Sequence, residues 1–382
     1  MIIAVDGYEA NVRNRVGIGR YAYEILVHMY SLLYRQRNPE HRIRVYLTSK
    51  PLRDMPPETF WWKYYVRGPS ILWTFIGLPL ALATDKPKAA VVFSPTHYVP
   101  RFISMPRVMS IMDTSYLLFP NMFKKKDLFQ LVHWTKYSVV KSQKICTISQ
   151  YSKNAIMRAY GLPENKVIVT YPGLSMLPRK DKLTDTDFIH KYQLSKHFIL
   201  SVGTIQPRKN YSRLIEAFSQ FLLTNRQKFG EIQLVIIGKK GWLYEKILEA
   251  PRRYGVEEKV KFLDFVPDNE LPVFYKHALC FALPSLYEGF GLPVLEAMAY
   301  GCPVVVSNVS SLPEIARKAG IYVDPKSVTS ITKGLLAAVR QRNLLQGKYR
   351  KKEGLNQVRK FTWERAARET LQVLEEVGKG KT

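Results

Sequence analysis

The sequence predicts an α/β fold of two domains, each a parallel sheet covered by helices, and three observations carry that prediction. The chain has 382 residues, more than one hydrophobic core usually organises. Short apolar runs alternate with amphipathic segments from the first residue onward, the pattern of strands crossed over by helices. The pattern also restarts near residue 198, so two similar units follow one another.

In the first half, strands are expected at IIAVD (2–6), RIRVYL (42–47), AVVFS (90–94), RVMSIM (107–112), KICTI (144–148) and KVIVT (166–170). Helices should lie between them: Ile25, Leu26, Met29, Leu32 and Leu33 recur at helical spacing, and Ser149 suits the cap of the helix that follows it. The second half repeats the pattern with FILSV (198–202), QLVII (233–237), VKFL (260–263), LCFAL (279–283) and PVVVS (303–307). Residues 176–197 hold two charge clusters, a proline and no clear periodicity, which places the boundary there. The expected division is 1–178, 179–360 and a terminal helical segment, 361–382, whose stripe of Phe361, Trp363, Ala366, Leu371 and Leu374 must pack on one of the domains.

Composition narrows the function. Hydrophobic residues make up 46% and charged residues 23%, with no low-complexity tract, so the chain is a folded protein. The formal charge of +27 favours anionic partners. Residues 1–178 carry 24 basic and 10 acidic side chains and residues 179–382 carry 34 and 21, so the charge is evenly spread; with no recognition motif, a nucleic-acid binder is not expected. Cys146, Cys280 and Cys302 are far apart, which predicts neither a metal site nor disulfides and fits a reducing cytoplasm. The start, MIIAVD, reads as a strand and not as a leader, and the most apolar window, residues 71–83, is too short for a span that needs about 20 residues.

The chemistry is expected in three places. In LPSLYEGFGLPVLEAMAYGCPVVVS (283–307), a strand is followed by a glycine turn, by Pro293 at the start of a short helix over 292–300 and by Gly301 just beyond it. Such a helix points unpaired N–H groups at the carboxyl edge of the sheet, a phosphate site. Glu288 and Glu296 frame the turn, and carboxylates there suit sugar hydroxyls beside a diphosphate. In SVGTIQPRKNYSRLIEAF (201–218), Arg208 and Lys209 precede a helix expected near 210 or 211, where the dipole disfavours cations, so they call for an anion. In VGIGRYAYEIL (16–26), Gly17, Gly19 and Ala22 match a dinucleotide fingerprint in outline, but about ten residues separate them from the first strand, against a nicotinamide site and for a glycine loop leading into a helix.

These motifs resemble those of the retaining, nucleotide-sugar-dependent glycosyltransferases of family 4, group 1 glycosyltransferases with the GT-B fold, including mannosyltransferases. EGFGLPVLE looks like that family's paired-glutamate element, GTIQPRKN like its diphosphate loop and VGIGRY like its first-domain glycine loop; the likeness is strongest over 201–314. It implies two Rossmann-like α/β/α domains facing across a cleft, acceptor on the first and nucleotide-sugar on the second, with the terminal helix crossing back to the first. It implies that Lys209 and Arg208 hold the donor diphosphate, that Glu296 binds the ribose, and that Glu288 with the backbone of Gly289, Phe290, Gly291 and Leu292 contacts the transferred sugar and its phosphate. Gly17 and Gly19 would close over the diphosphate, and Val266, beside Phe265, would border the base. Lys209, Glu288 and Asp113 are the expected catalytic residues. Many relatives have a His-Asp pair where this chain has Met112 and Asp113. His97 is placed to compensate, and Arg20, Tyr21, His97 and Tyr98 are the acceptor-side candidates.

The implied reaction is retaining, metal-independent, front-face transfer of a hexose, mannose being the guess, from a GDP- or UDP-sugar to a glycan or lipid-linked acceptor, without a cofactor. Residues 71–83 and 123–144 suggest a peripheral contact with anionic lipid at the inner face of the membrane. Two alternatives keep the same fold: a sugar-nucleotide-binding protein with little transferase activity, and a sugar-nucleotide epimerase.

Overall fold

The fold was determined as a computed structural model, which describes residues 1–15, 17–36, 39–68, 72–175, 185–224 and 231–380. Two compact units emerge. The first comprises Met1–Pro120, Lys125–Gly173 and Phe361–Thr382; the second comprises Asn121–Lys124 and Leu174–Lys360.

The first unit is built on seven parallel strands, β1 (Ile2–Asp6), β2 (Arg42–Leu47), β3 (Trp62–Val66), β4 (Val91–Ser94), β5 (Arg107–Ile111), β6 (Lys144–Thr147) and β7 (Val167–Val169), in the order β3-β2-β1-β4-β5-β6-β7. The second has six parallel strands, β8 (His197–Val202), β9 (Ile232–Ile237), β10 (Val260–Leu263), β11 (Cys280–Leu283), β12 (Val304–Ser307) and β13 (Gly320–Val323), in the order β10-β9-β8-β11-β12-β13. Each sheet reverses its winding once, between β1 and β4 in the first and between β8 and β11 in the second. The carboxyl ends of such a pair are where open α/β sheets bind their ligands. Both units are thus Rossmann-like, as expected of the two domains of a GT-B fold.

All eleven expected strands are present, with ends shifted by at most one residue. The sequence reading missed β3 and β13, which lie at sheet edges; the exposed Lys63 interrupts the apolar run of β3, and β13 has only four residues, Gly320–Val323, with Tyr322 exposed. The unpatterned stretch 176–197 also needs correction. Residues 176–184 lie outside the described residues, but Asp185–Tyr192 is a helix, held by the fully buried Phe188 ring at 4.6 Å from that of Phe274 and by Lys191 and Tyr192 bonding to Glu270. The cap at Ser149 is as expected, its hydroxyl accepting from the N–H of Ser152 at 3.0 Å.

The terminal stripe packs within the first unit. Thr362 caps the helix Trp363–Gly378, and Trp363, Ala366, Leu371 and Leu374 are buried. Trp363 meets Tyr21 edge-on, 6.0 Å between ring centres, and Glu375 accepts from or pairs with His41 at 2.8 Å. Burying each large apolar side chain of that face contributes about 1.5–3 kcal/mol, enough to hold the segment on a domain distant from it in sequence. Of residues 71–83, 71 lies outside the described residues and 72–83 are amphipathic: Trp73, Leu78, Ala81 and Leu82 join the core, while Leu72, Ile76 and Leu80 are exposed. No described helix is long and apolar enough to cross a membrane. Cys146, Cys280 and Cys302 are buried free thiols.

Candidate functional site

In the second unit, β8 and β11 are neighbours, and the loops that follow them meet where the winding reverses. Backbone and side chains zip the two loops together. The Leu286 N–H donates to the Arg208 carbonyl at 2.9 Å, and Arg208 Nη1 donates to the Tyr287 carbonyl at 2.7 Å. Asn210, in the left-handed region with φ 63°, donates through Nδ2 to the carbonyls of Pro284 at 2.8 Å and Pro325 at 2.7 Å. Asparagine tolerates that backbone conformation better than most residues, which lets one side chain tie three loops at the carboxyl edge.

This frame brings Arg208, Lys209 and Glu288 into one cluster. Lys209 Nζ lies 2.7 Å from Glu288 Oε1, and Arg208 Nη1 lies 3.5 Å from Glu288 Oε2. Ser285 Oγ donates to Glu288 Oε1 at 2.7 Å, and the Glu288 N–H donates to Ser310 Oγ at 3.0 Å. Ser311 Oγ fixes the turn by donating to the carbonyls of Glu288 and Phe290 at 2.9 and 2.8 Å. Lys209 and Glu288 are only 8% and 6% exposed, so these contacts are little screened by water. Burial pushes the Glu288 carboxyl up, but Lys209, Arg208 and the hydrogen bonds from Lys209 and Ser285 outweigh it and hold the group below the ordinary carboxylate value.

The anion that Arg208 and Lys209 require is therefore supplied in part by the protein, a partnership the sequence reading did not foresee. Two cations and one carboxylate leave the cluster net positive. It can still attract an anion.

Glycine completes the turn. Gly291 has φ +107°, and a side chain there would run into Leu312. The helix Leu292–Ala299 begins after it with Pro293, which has no N–H, in its first turn and no side-chain cap; the Val294 N–H donates to the Gly291 carbonyl at 2.9 Å, so Leu292 supplies the first-turn N–H open to a ligand. On the same helix, Glu296 is half-buried, and its Oε2 accepts from the hydroxyl of the buried Tyr275 at 2.6 Å. Burial and the neighbouring Glu296 carboxylate drive the Tyr275 phenol well above its ordinary value, so it stays a donor and orients Glu296. At the end of β10, Val266, expected to border the base, is 3% exposed and belongs to the core, whereas the ring of its neighbour Phe265 is 64% exposed, with Lys239 Nζ 5.5 Å from its centre.

The first unit has a cavity of about 540 Å³ at its own reversal point, lined by residues that follow β1 and β4 and by aromatic side chains. His97 and Tyr98 line it, as does Met112. The Met112 N–H donates to His97 Nε2 at 3.2 Å. Burial lowers the His97 pKa against the opposing pull of Asp113, which favours the neutral ring accepting that bond. Asp113 itself accepts from the Ser115 N–H at 2.8 Å, an ordinary turn-forming role. Arg20 bonds to Glu24 at 2.7 Å on its own helix. Tyr21 is a correction: it is 3% exposed, packed on Trp363 with its hydroxyl 3.3 Å from Thr170, and so is a core residue unable to meet an acceptor. Gly17 caps the helix Ile18–Tyr34, and Gly19 lies in its first turn, where a side chain would press on the Glu9 carbonyl.

The sequence reading missed Asp6, which lines the same cavity from the end of β1. Its Oδ1 accepts from Trp73 Nε1 at 2.9 Å and from the Tyr8 N–H at 3.2 Å. Burial pushes its pKa up to about 6 despite those bonds. A carboxyl whose folded pKa is raised favours the native state below its unfolded pKa, and that advantage disappears as pH rises through about 6. Asp6→Asn keeps an acceptor for both N–H groups. It should stabilise the protein at pH 8 by about 3 kcal/mol, the equivalent of roughly two pKa units, with the gain vanishing below pH about 4. Urea denaturation at the two pH values checks this; an equal effect at both would show that Asp6 does not titrate in this range.

Two Rossmann-like sheets with a cation–carboxylate cluster at a carboxyl edge are the features expected of a glycosyltransferase with the GT-B fold. Residues 184–353 match the family described as glycosyl transferases group 1. The chain is 31% identical over 288 residues to O-antigen chain mannosyltransferase B of Escherichia coli, covering 74% of each chain. Among solved structures, it superposes on sucrose-phosphate synthase of Thermosynechococcus elongatus with a TM-score of 0.73 at 15% identity, covering 99% of each. It also superposes on HepE of Anabaena, in complex with UDP and glucose, with a TM-score of 0.69 at 18% identity, covering 98% of this chain and 99% of that one. The chain belongs to the group 1 glycosyltransferases.

Proposed function

We propose that the enzyme transfers a mannosyl residue from a nucleoside diphosphate donor, GDP-mannose before UDP-hexoses, to a glycan or lipid-linked acceptor with retention of configuration. The observation that carries the reading is the buried, net-positive cluster of Arg208, Lys209 and Glu288 beside the uncapped helix at Leu292. The similarity to an O-antigen mannosyltransferase supports the choice of sugar.

In this reading the donor diphosphate sits on Lys209, Arg208 and the Leu292 N–H, Glu288 accepts from a hydroxyl of the transferred sugar, and Glu296, oriented by Tyr275, accepts from the ribose. The bond between the anomeric carbon and the β-phosphate oxygen breaks, and the acceptor oxygen bonds to the same face. The acceptor proton passes to the departing phosphate, so the protein need not supply a base. Negative charge growing on that phosphate meets cations already fixed in place, which is where catalysis gains most. Leu72, Ile76 and Leu80 offer an apolar stripe for peripheral contact with a membrane.

The test is release of nucleoside diphosphate from GDP-mannose, UDP-glucose and UDP-galactose, with and without an acceptor bearing terminal mannose. Acceptor-dependent release of GDP is expected. Donor turnover equal with and without acceptor, or no release from any donor, contradicts the reading.

A further inference from the structure

A second basic cluster lies at the other end of the second sheet. Lys209 and Glu288 follow the carboxyl ends of β8 and β11, whereas a cavity of about 570 Å³ opens at Cys302, Pro303 and Val304, the amino end of β12. Its walls carry Lys276, Arg342, Lys348, Arg350 and Lys351 and no aspartate or glutamate. Among the described residues, these five side chains form no ion pair and no hydrogen bond.

Three of the cations have a local reason to be there. Lys276 is in the last turn of the helix Leu271–His277, Arg342 follows the helix Val328–Gln341, and Lys351 lies over Gly301, just past the helix Leu292–Ala299, in space a side chain at 301 would take. Each thus sits at a helix carboxyl end, where positive charge is favourable. Lys348 and Arg350 have no such reason. They stand in the first two turns of the helix Leu345–Val358, where the dipole opposes them, and Arg350 Nε is buried without an acceptor. At residues 208–209 a similar conflict is answered by Glu288; here no carboxylate answers it.

We propose that this cavity is a second anion site that binds a phosphomonoester or diphosphate group, with Arg342 and Arg350 as its principal ligands and Lys348 and Lys351 around them. Arginine forks match phosphate oxygens two at a time, and the lysines add charge without fixing geometry. The site lies at the opposite sheet edge from Lys209, so it stands or falls independently of the donor assignment.

The test is calorimetric titration of inorganic pyrophosphate into the wild type, the double variant Arg342→Gln/Arg350→Gln and Lys209→Ala, with hydrogen exchange followed over residues 342–351. The wild type should show slowed exchange there on adding pyrophosphate, and so should Lys209→Ala. The double variant should lose that protection and bind at this site at least about tenfold more weakly, as expected for losing two charge-assisted contacts. Lys348→Ala, a change at an exposed side chain, should weaken binding in the same direction if the double variant folds poorly. Cosedimentation with vesicles of phosphatidic acid in phosphatidylcholine, lost in the double variant, would give the phosphate a lipid source; pyrophosphate binding without cosedimentation would give it a soluble one. Unchanged exchange at 342–351 in the wild type, or pyrophosphate binding undiminished in the double variant, overturns the proposal.

Discussion

Replacing Lys209 with alanine should lower the rate of sugar transfer by about a hundredfold to a thousandfold, the loss seen when one preorganised donor to a developing oxyanion is removed. Its Nζ is the cation nearest Glu288, at 2.7 Å, and it is held where the departing diphosphate is proposed to sit. The same change should cost about 3 kcal/mol of stability, because it leaves a buried carboxylate with Arg208 as its remaining cationic partner. Lys209→Met separates the two effects by keeping most of the packing while removing the charge: the rate should stay low while part of the stability returns. Steady-state transfer and chemical denaturation on both variants check this. A rate within a few-fold of wild type in a folded Lys209→Met protein would mean that the diphosphate is held elsewhere.

Replacing Glu288 with glutamine should separate binding from turnover. Removing a negative charge from beside two cations should tighten binding of the free nucleoside diphosphate by about tenfold, from Coulomb attraction at the effective dielectric of a partly buried site. Transfer should nonetheless fall by about a hundredfold, because glutamine neither accepts as strongly from a sugar hydroxyl nor fixes Lys209. The acid side of the stability profile should change as well. Glu288 has a depressed folded-state pKa, so its contribution is present above its ordinary value of 4.5 and is lost as pH falls below it. Wild-type protein should therefore lose more stability between pH 5 and pH 3 than Glu288→Gln. Equal acid slopes together with unchanged diphosphate affinity would leave the pairing without functional weight.

The second-unit elements were legible because local signals agreed there. A strand, a glycine turn, Pro293 and Gly301 bracket the helix Leu292–Ala299, and Arg208 and Lys209 announced themselves by standing against a helix dipole. The partner of those cations was not legible, since Glu288 lies 79 residues from Lys209 and only the adjacency of β8 and β11 brings them together. Asp6 escaped for a similar reason: IIAVD reads as a strand end, and its partner Trp73 is 67 residues away. Tyr21 was misassigned because one helix turn carries both the glycine loop and a core position, and the ring that buries it, Trp363, comes from the end of the chain. Strand β3 lacked a clear apolar run because Lys63 stands exposed within it, and β13 offered only three apolar residues after Gly320, too short a run to mark a strand.

Amide hydrogen exchange of the wild type with and without GDP or UDP tests the central claim most directly. Binding to the cluster at the β8–β11 reversal predicts slowed exchange in both 203–210 and 285–296 with at least one of the two nucleotides, and loss of that protection in Lys209→Met. Nucleotide binding that leaves both segments unchanged, or that persists undiminished in Lys209→Met, would contradict it.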